Sequence, residues 1–249
     1  MDLERYARYL VDWLEIQRKE FYKMDGYVLG VSGGVDSAVV AHLLARTGAP
    51  VRAYLLPSRL SAEKDKSDAQ LVLESAGLSG EVISIAPMVE VFMQQLAGNL
   101  HPDPERVNVL NGNLQARVRM VTLFTVAQSY RSIVVGTDNA AEWHTGYFTK
   151  FGDGAADVVP LVHLRKEQVF ELANIIGVPQ KIIERAPSAG LWAGQTDEDE
   201  MGVSYAEIDA HLRGEVVNEA ALERIAFWHE RSHHKRVMPI QPLAPREQS

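Results

Sequence analysis

Tyr27-Val28-Leu29-Gly30-Val31-Ser32-Gly33-Gly34-Val35-Asp36-Ser37-Ala38 decides the fold of this 249-residue chain. The run before Ser32 is apolar and broken by Gly, as a strand buried on both faces requires. Ala38-Val39-Val40-Ala41-His42-Leu43-Leu44 suits a helix packed against that strand. Between them, S-G-G-V-D-S forms a tight turn at the strand's carboxyl end. Its two glycines reach backbone angles closed to other residues and let a ligand approach the main chain. Free amides at the helix start, the helix dipole and the hydroxyls of Ser32 and Ser37 all favour an anion, so phosphate is the expected guest.

A Walker-type loop would end in G-K-[ST], whereas this loop has no Lys and carries Asp36. A carboxylate beside a phosphate site is repulsive unless a divalent cation lies between them, which makes Asp36 a candidate Mg²⁺ ligand. The turn does not read G-x-G-x-x-G, which argues against a dinucleotide-dependent dehydrogenase.

The elements on either side repeat the strand-helix alternation. Residues 51–56 read as a second strand stopped by Pro57, and a helix capped by Ser61 runs to Gly77. Residues 81–85 read as a third strand, 108–130 as a long helix and 132–135 as a fourth strand entering Gly136-Thr137-Asp138. This order implies right-handed crossovers and an α/β fold, a doubly wound, mainly parallel sheet with helices on both faces. Ligands bind such sheets beyond the carboxyl ends of the strands where the winding reverses, and the first and fourth strands are expected to flank that point.

Leu3, Tyr6, Ala7, Leu10, Val11 and Leu14 give an amphipathic first helix covering the sheet. Residues 145–160 read as a functional loop, with a short edge strand at 158–161. Helices are expected at 166–176, 180–185, 205–212 and 219–231, with a polar, acidic lid at 188–202. One domain, 1–249, is expected, with a partly flexible tail from 238.

The formal net charge of -8 argues against a surface built for nucleic acid. The absence of Cys excludes disulfides, thiolate metal sites and a Cys nucleophile. The amino terminus lacks a signal-peptide pattern and no apolar run approaches membrane-spanning length, so the expected location is cytoplasmic, with no membrane partner.

Several separate segments, in one order, resemble the NAD synthetases, and the ammonia-dependent form in particular. They are Ser32 to Ser37, Asn113-Leu114-Gln115-Ala116-Arg117, Gly136 to Glu142, Thr149 to Asp157, Pro160-Leu161, Tyr205-Ala206-Glu207-Ile208-Asp209 and His234-Lys235-Arg236. The resemblance covers nearly the whole chain and implies a fold of the adenine-nucleotide alpha-hydrolase type. It implies a two-step reaction in which the nicotinate carboxylate of deamido-NAD attacks the α-phosphate of ATP, releasing pyrophosphate. Ammonia then displaces AMP from the NAD-adenylate to give NAD.

Carried over residue by residue, the resemblance assigns ATP binding to Gly30, Val31, Ser32, Gly33, Gly34, Val35, Asp36, Ser37, Thr137, Lys166 and Ser188. Deamido-NAD falls to Arg117, Lys150, Asp157, His234 and Lys235, and Mg²⁺ to Asp36 and Glu142. Asp36, Glu142 and Lys166 are the residues expected to act in the chemistry. The resemblance also implies a homodimer held by long helices.

The chain departs from the family pattern at Val35, where Gln is frequent, and at Gly190, where an acid is usual; Asp197, Glu198 or Asp199 could replace that acid. His144 and His163 match no ligand motif, and Trp192 and Trp228 are assigned to packing or lid contacts. The alternatives are another amidating or thiolating ATP pyrophosphatase, and a nucleotide-binding regulator without turnover.

Overall fold

The computed structural model describes residues 1–59, 63–101, 103–185 and 196–243. Within them, β1 (Gly26–Gly30), β2 (Val51–Leu55), β3 (Gly80–Val82) and β4 (Ser132–Val134) form a parallel sheet in the order β3-β2-β1-β4. Tyr27 lies opposite Val51 on one side and Ile133 on the other. The winding therefore reverses between β1 and β4, as expected.

Tyr27, Val28 and Leu29 are each fully buried, which requires cover on both faces of β1. Tyr27, Leu29, Ala53, Leu55, Ile133 and Val135 share one core with α1 (Leu3–Ile16), α2 (Val35–Thr47) and α3 (Glu63–Ala76). Val28, Tyr54, Leu56 and Val134 pack on the opposite face with α4 (Ala86–Leu96) and α5 (Val107–Ser129). The period-two alternation along each strand thus divides the two cores.

α7 (Lys166–Ile175) and α8 (Gln180–Ile183) join the first core through Val169, Leu172, Ala173 and Ile182. The remaining helices are α6 (Ala140–Thr145), α9 (Asp197–Met201), α10 (Tyr205–Leu212) and α11 (Glu219–Arg231). Ala141, Met201, Val203, Tyr205, Ile208, Ala221 and Ile225 form a third core that ties α6, α9, α10 and α11 together.

Several boundaries differ from expectation for physical reasons. The third strand is Gly80–Val82 rather than 81–85, an exposed edge from which the chain turns into α4. Pro87 lies in the first turn of that helix, where no amide donor is needed. The expected strand at 158–161 is a single parallel bridge between Val135 and Val158. Within the expected lid, 197–201 is helical, capped by the Thr196 side chain on the Asp199 amide. Ser61 and residues 186–195 lie outside the described residues. No helix among the described residues is long and apolar enough to cross a membrane.

Candidate active site

The amide of Val31 donates to Tyr54 O at 2.9 Å, and the chain then leaves the sheet through the loop Ser32–Gly34. Gly33 sits at φ +83, and a Cβ there would lie 2.9 Å from the Ala69 amide nitrogen and 3.0 Å from Asp65 O. Only glycine fits that position without moving backbone. Ser37 Oγ accepts from the Ser32 amide at 3.3 Å and donates to Gly34 O at 3.0 Å, while Ser32 Oγ accepts from the Gly34 amide at 3.2 Å. The two hydroxyls therefore shape the loop. Gly34 is the N-cap of α2 and has no side chain to cap the first turn, leaving those amides for an anion.

The loop opens into a cavity of about 800 Å³ that Gly136, Thr137 and Asp138 line from the end of β4. Asn139 bridges the two strand ends: its Nδ2 donates to Asp36 Oδ1 at 3.0 Å, and its Oδ1 caps α6 by accepting from Ala141 and Glu142. Glu142 Oε2 in turn accepts from the Asn139 amide at 3.0 Å, completing a capping box that aims the carboxylate at the cavity.

Lys166 opens α7 and is buried. Its Nζ lies 2.6 Å from Asp36 Oδ2, 3.6 Å from Glu142 Oε1 and 4.8 Å from the Tyr205 ring centroid. The Tyr205 hydroxyl is 3.0 Å from Asp197 Oδ2 and 3.4 Å from Glu142 Oε1.

Burial, followed by the nearby Asp36 charge, pushes Glu142 up to about 7, against the opposing pull of Lys166. Burial works to lower the Lys166 pKa, but the Asp36 and Glu142 carboxylates outweigh it and hold the ammonium protonated. Burial, then Asp153, Glu142 and Asp36, also raises Asp138, whose Oδ2 has no hydrogen-bond partner.

The carboxylates of Asp36 and Glu142 offer the hard oxygen donors that a divalent cation takes. Two carboxylates already converge on one positive charge, the Lys166 ammonium, which marks the space between them as a cation position. No group of three acids or histidines able to hold a metal exists among the described residues.

Across the same cavity lie Arg117, Lys150, His234 and Lys235. Arg117 Nε and Nη2 reach Lys150 O at 3.4 Å, and Lys150 Nζ donates to His234 O at 2.6 Å. Lys235 Nζ donates to Gly146 O and Phe148 O at 2.7 and 2.6 Å. These links tie α5, the loop after Thr145 and the carboxyl end into one basic wall.

Asp157 is placed differently. Its Oδ2 accepts from the Val134 amide at 2.7 Å and its carbonyl accepts from the Tyr22 hydroxyl at 2.7 Å, so it braces β4 and does not line the cavity. Among the candidate replacements for the missing acid at 190, only Asp197 lines the cavity. Glu198 accepts from the Tyr205 amide at 2.8 Å and Asp199 is bound to Thr196, so both are engaged in helix capping. Ser188, Gly190 and Trp192 lie outside the described residues.

His144 stacks on His229 with centroids 4.2 Å apart, His163 is exposed, and Trp228 Nε1 donates to Met201 O at 2.9 Å. Asn139, Asp138, Tyr205 and Arg119 belong to the site and were not singled out from sequence. Asp138, Asn139 and Tyr205 sit inside segments that carry the resemblance, which is the available signal.

A phosphate loop that keeps a lysine-bridged carboxylate pair beside it, facing a basic wall across one cavity, defines a site for a nucleotide phosphate and a second anionic ligand. The NAD synthase family model matches residues 6–239, and the chain belongs to that family, a ligase that forms a C–N bond. It is 66% identical to the NH(3)-dependent NAD(+) synthetase of Mannheimia succiniciproducens over 99% of both chains. Among solved structures it resembles an NMN synthetase from Francisella tularensis, at TM-score 0.92 and 50% identity, covering 97% of this chain and 99% of that one. It also resembles an NAD+ synthetase from Burkholderia pseudomallei, at TM-score 0.77 and 30% identity, covering 96% and 91%.

Proposed function

We propose that the cavity performs both half-reactions of the family's ATP-dependent amidation of deamido-NAD with ammonia, on the residues assigned above. One observation carries the reading: a single cavity joins the phosphate loop, with its Lys166-bridged acids, to the basic wall of Arg117, Lys150, His234 and Lys235. ATP phosphates occupy the Gly30–Ser37 loop and the wall takes the anionic acceptor.

Asp36 and Glu142 would hold Mg²⁺, which would supply positive charge against that of pyrophosphate. Lys166 holds the two acids in place and adds its own charge beside the phosphates. The basic wall orients the nicotinate carboxylate for attack. Ammonia then adds to the carboxyl carbon, the nitrogen gives up one proton to solvent, and AMP leaves with the bonding pair. We assign the enzyme to the cytoplasm, consistent with its lack of Cys. A homodimer is supported by α4, which buries none of its residues yet exposes Val91, Phe92 and Leu96.

A second reading concerns only the acceptor. Nicotinate mononucleotide presents the same carboxylate, and the Francisella structure at 50% identity carries the name NMN synthetase. The test is formation of amide and AMP from ATP, Mg²⁺ and ammonium with deamido-NAD or nicotinate mononucleotide in parallel. A higher kcat/KM with deamido-NAD supports the first reading, and a higher one with the mononucleotide supports the second. Absence of both amides and of pyrophosphate would overturn the proposal.

A further inference from the structure

Arg119 is a cation in the cavity that the assignments above leave unused. It stands two residues beyond Arg117 on α5, so the two side chains leave the helix roughly 200° apart. Arg117 turns to the loop carrying Lys150, whereas Arg119 Nε donates to Leu56 O at 3.0 Å, just past the end of β2. The guanidinium is partly buried and lines the cavity. Its Nη1 and Nη2 have no hydrogen-bond or ion-pair partner among the described residues, although burial pushes its pKa down. An arginine fork held by one nitrogen, with its other donors facing a cavity, is arranged for an anion.

Its position selects which anion. On one side Leu56, whose carbonyl Arg119 binds, packs at the root of the phosphate loop, with Cδ1 4.0 Å from where a Cβ at Gly30 would lie; on the other, Arg117 two residues back on α5 reaches Lys150 O in the basic wall. Arg119 therefore stands between the ATP half and the acceptor half of the cavity. Only one charged group belongs to both halves in turn, the α-phosphate that leaves pyrophosphate and joins the acceptor.

We infer that Arg119 binds the α-phosphate through Nη1 and Nη2 during adenylation, a role that rests on the reading proposed above. In that step an oxygen of the acceptor carboxylate forms a bond to the α-phosphorus. The bond to the bridging oxygen breaks, and its electron pair leaves with pyrophosphate. Arg119 compensates the charge on the phosphorus oxygens as this happens and remains on the adenylate.

The test compares the full-length wild type with Arg119→Ala and Arg119→Lys in two assays. One is acceptor-dependent exchange of labelled pyrophosphate into ATP without ammonium, which reports adenylation alone. The other is amide formation as a function of ammonium. Exchange is expected to fall about 10²-fold in Arg119→Ala, with the KM for ammonium unchanged. Added guanidinium is expected to restore at least about tenfold of the lost exchange, and Arg119→Lys to retain an intermediate rate because it keeps the charge without the fork.

Exchange within about threefold of wild type in Arg119→Ala would overturn the inference. So would lost exchange that guanidinium does not restore while ATP binding persists, since the residue would then act only through Leu56. Should Arg119→Ala not fold, Arg119→Lys decides alone: wild-type exchange overturns the inference and impaired exchange with an unchanged ammonium KM supports it. Failure of the wild type itself to exchange would remove the adenylation reading and this inference with it.

Discussion

Lys166 Nζ lies 2.6 Å from Asp36 Oδ2, a contact that joins the start of α7 to the start of α2 across 130 residues. It places a permanent positive charge inside the acid pair that faces the phosphate loop. Without that charge, Asp36 and Glu142 would repel across a space already shielded from water, and burial alone would drive one of them to take up a proton.

Lys166→Ala should therefore convert the acid pair from a site satisfied by protein into one that depends on added cation. Amide formation is expected to fall about 10²-fold. The variant should melt below the wild type without metal, and Mg²⁺ should raise its melting temperature by more than it raises the wild type's. Equal Mg²⁺ effects on the two proteins, measured by calorimetry, would show that the lysine does not hold the cation position.

Two groups on α6 should give opposite pH dependences of stability. Glu142 rises from 4.5 to about 7 on folding, chiefly by burial, so its contribution is full below about 4.5 and is lost as pH climbs through about 7. His144 falls from 6.5 to about 4, by burial and then by the neighbouring His229 and His211, so its contribution is full above about 6.5 and is lost as pH drops through about 4. Each is worth on the order of a few kcal/mol at the favourable end. Glu142→Gln should flatten the decline in melting temperature between about pH 5 and 8, and His144→Phe the decline below about pH 6. Mg²⁺ affinity of the wild type should rise with pH through about 7, because the metal takes only the ionised carboxylate.

The covering of α4 gives a separate test. Phe92 and Val91 are each more than half exposed on a helix that packs on the second core only through the partly buried Met88 and Val89. Sedimentation of the wild type should give a dimer, and Phe92→Glu a monomer with an unchanged helical spectrum. A wild-type monomer at micromolar concentration would remove the dimer assignment.

What the sequence made legible follows the range of each interaction. Gly30–Ser37 could be read from adjacent residues, because strand burial, turn chemistry and the helix start are all local. Glu142 and Lys166 could be named only by resemblance, since their meeting with Asp36 is made by the β1–β4 reversal. The Asn139 to Asp36 bond, 103 residues apart, had no local signature beyond a helix cap. Arg117 and Arg119 are alike in sequence, and only the packing of α5 over Leu56 separates their surroundings. Asp157 shows the converse: an acid inside a matching segment whose carboxylate is taken by the Val134 amide. A strand running to 85 is expected from Ile83 and Ile85 on either side of Ser84, but these two side chains pack against the second core as the chain passes from the edge strand into α4.

Two glycines allow the phosphate loop's steric demand to be separated from its conformational one. Gly33 and Gly48 both have positive φ, +83 and +71, so alanine at either costs about 1–2 kcal/mol for the backbone alone. A Cβ at Gly48 meets nothing within 4 Å, whereas one at Gly33 would press on the backbone of Ala69 and Asp65 at 2.9 and 3.0 Å. Gly48→Ala should therefore lose some stability and keep its KM for ATP, because Gly48 only closes the far end of α2. Gly33→Ala must displace either the loop or α3, and its KM for ATP should rise about tenfold or more as the loop amides leave their positions. If the two variants were equally stable and bound ATP equally well, the close packing of Gly33 on α3 would not be what shapes the anion site.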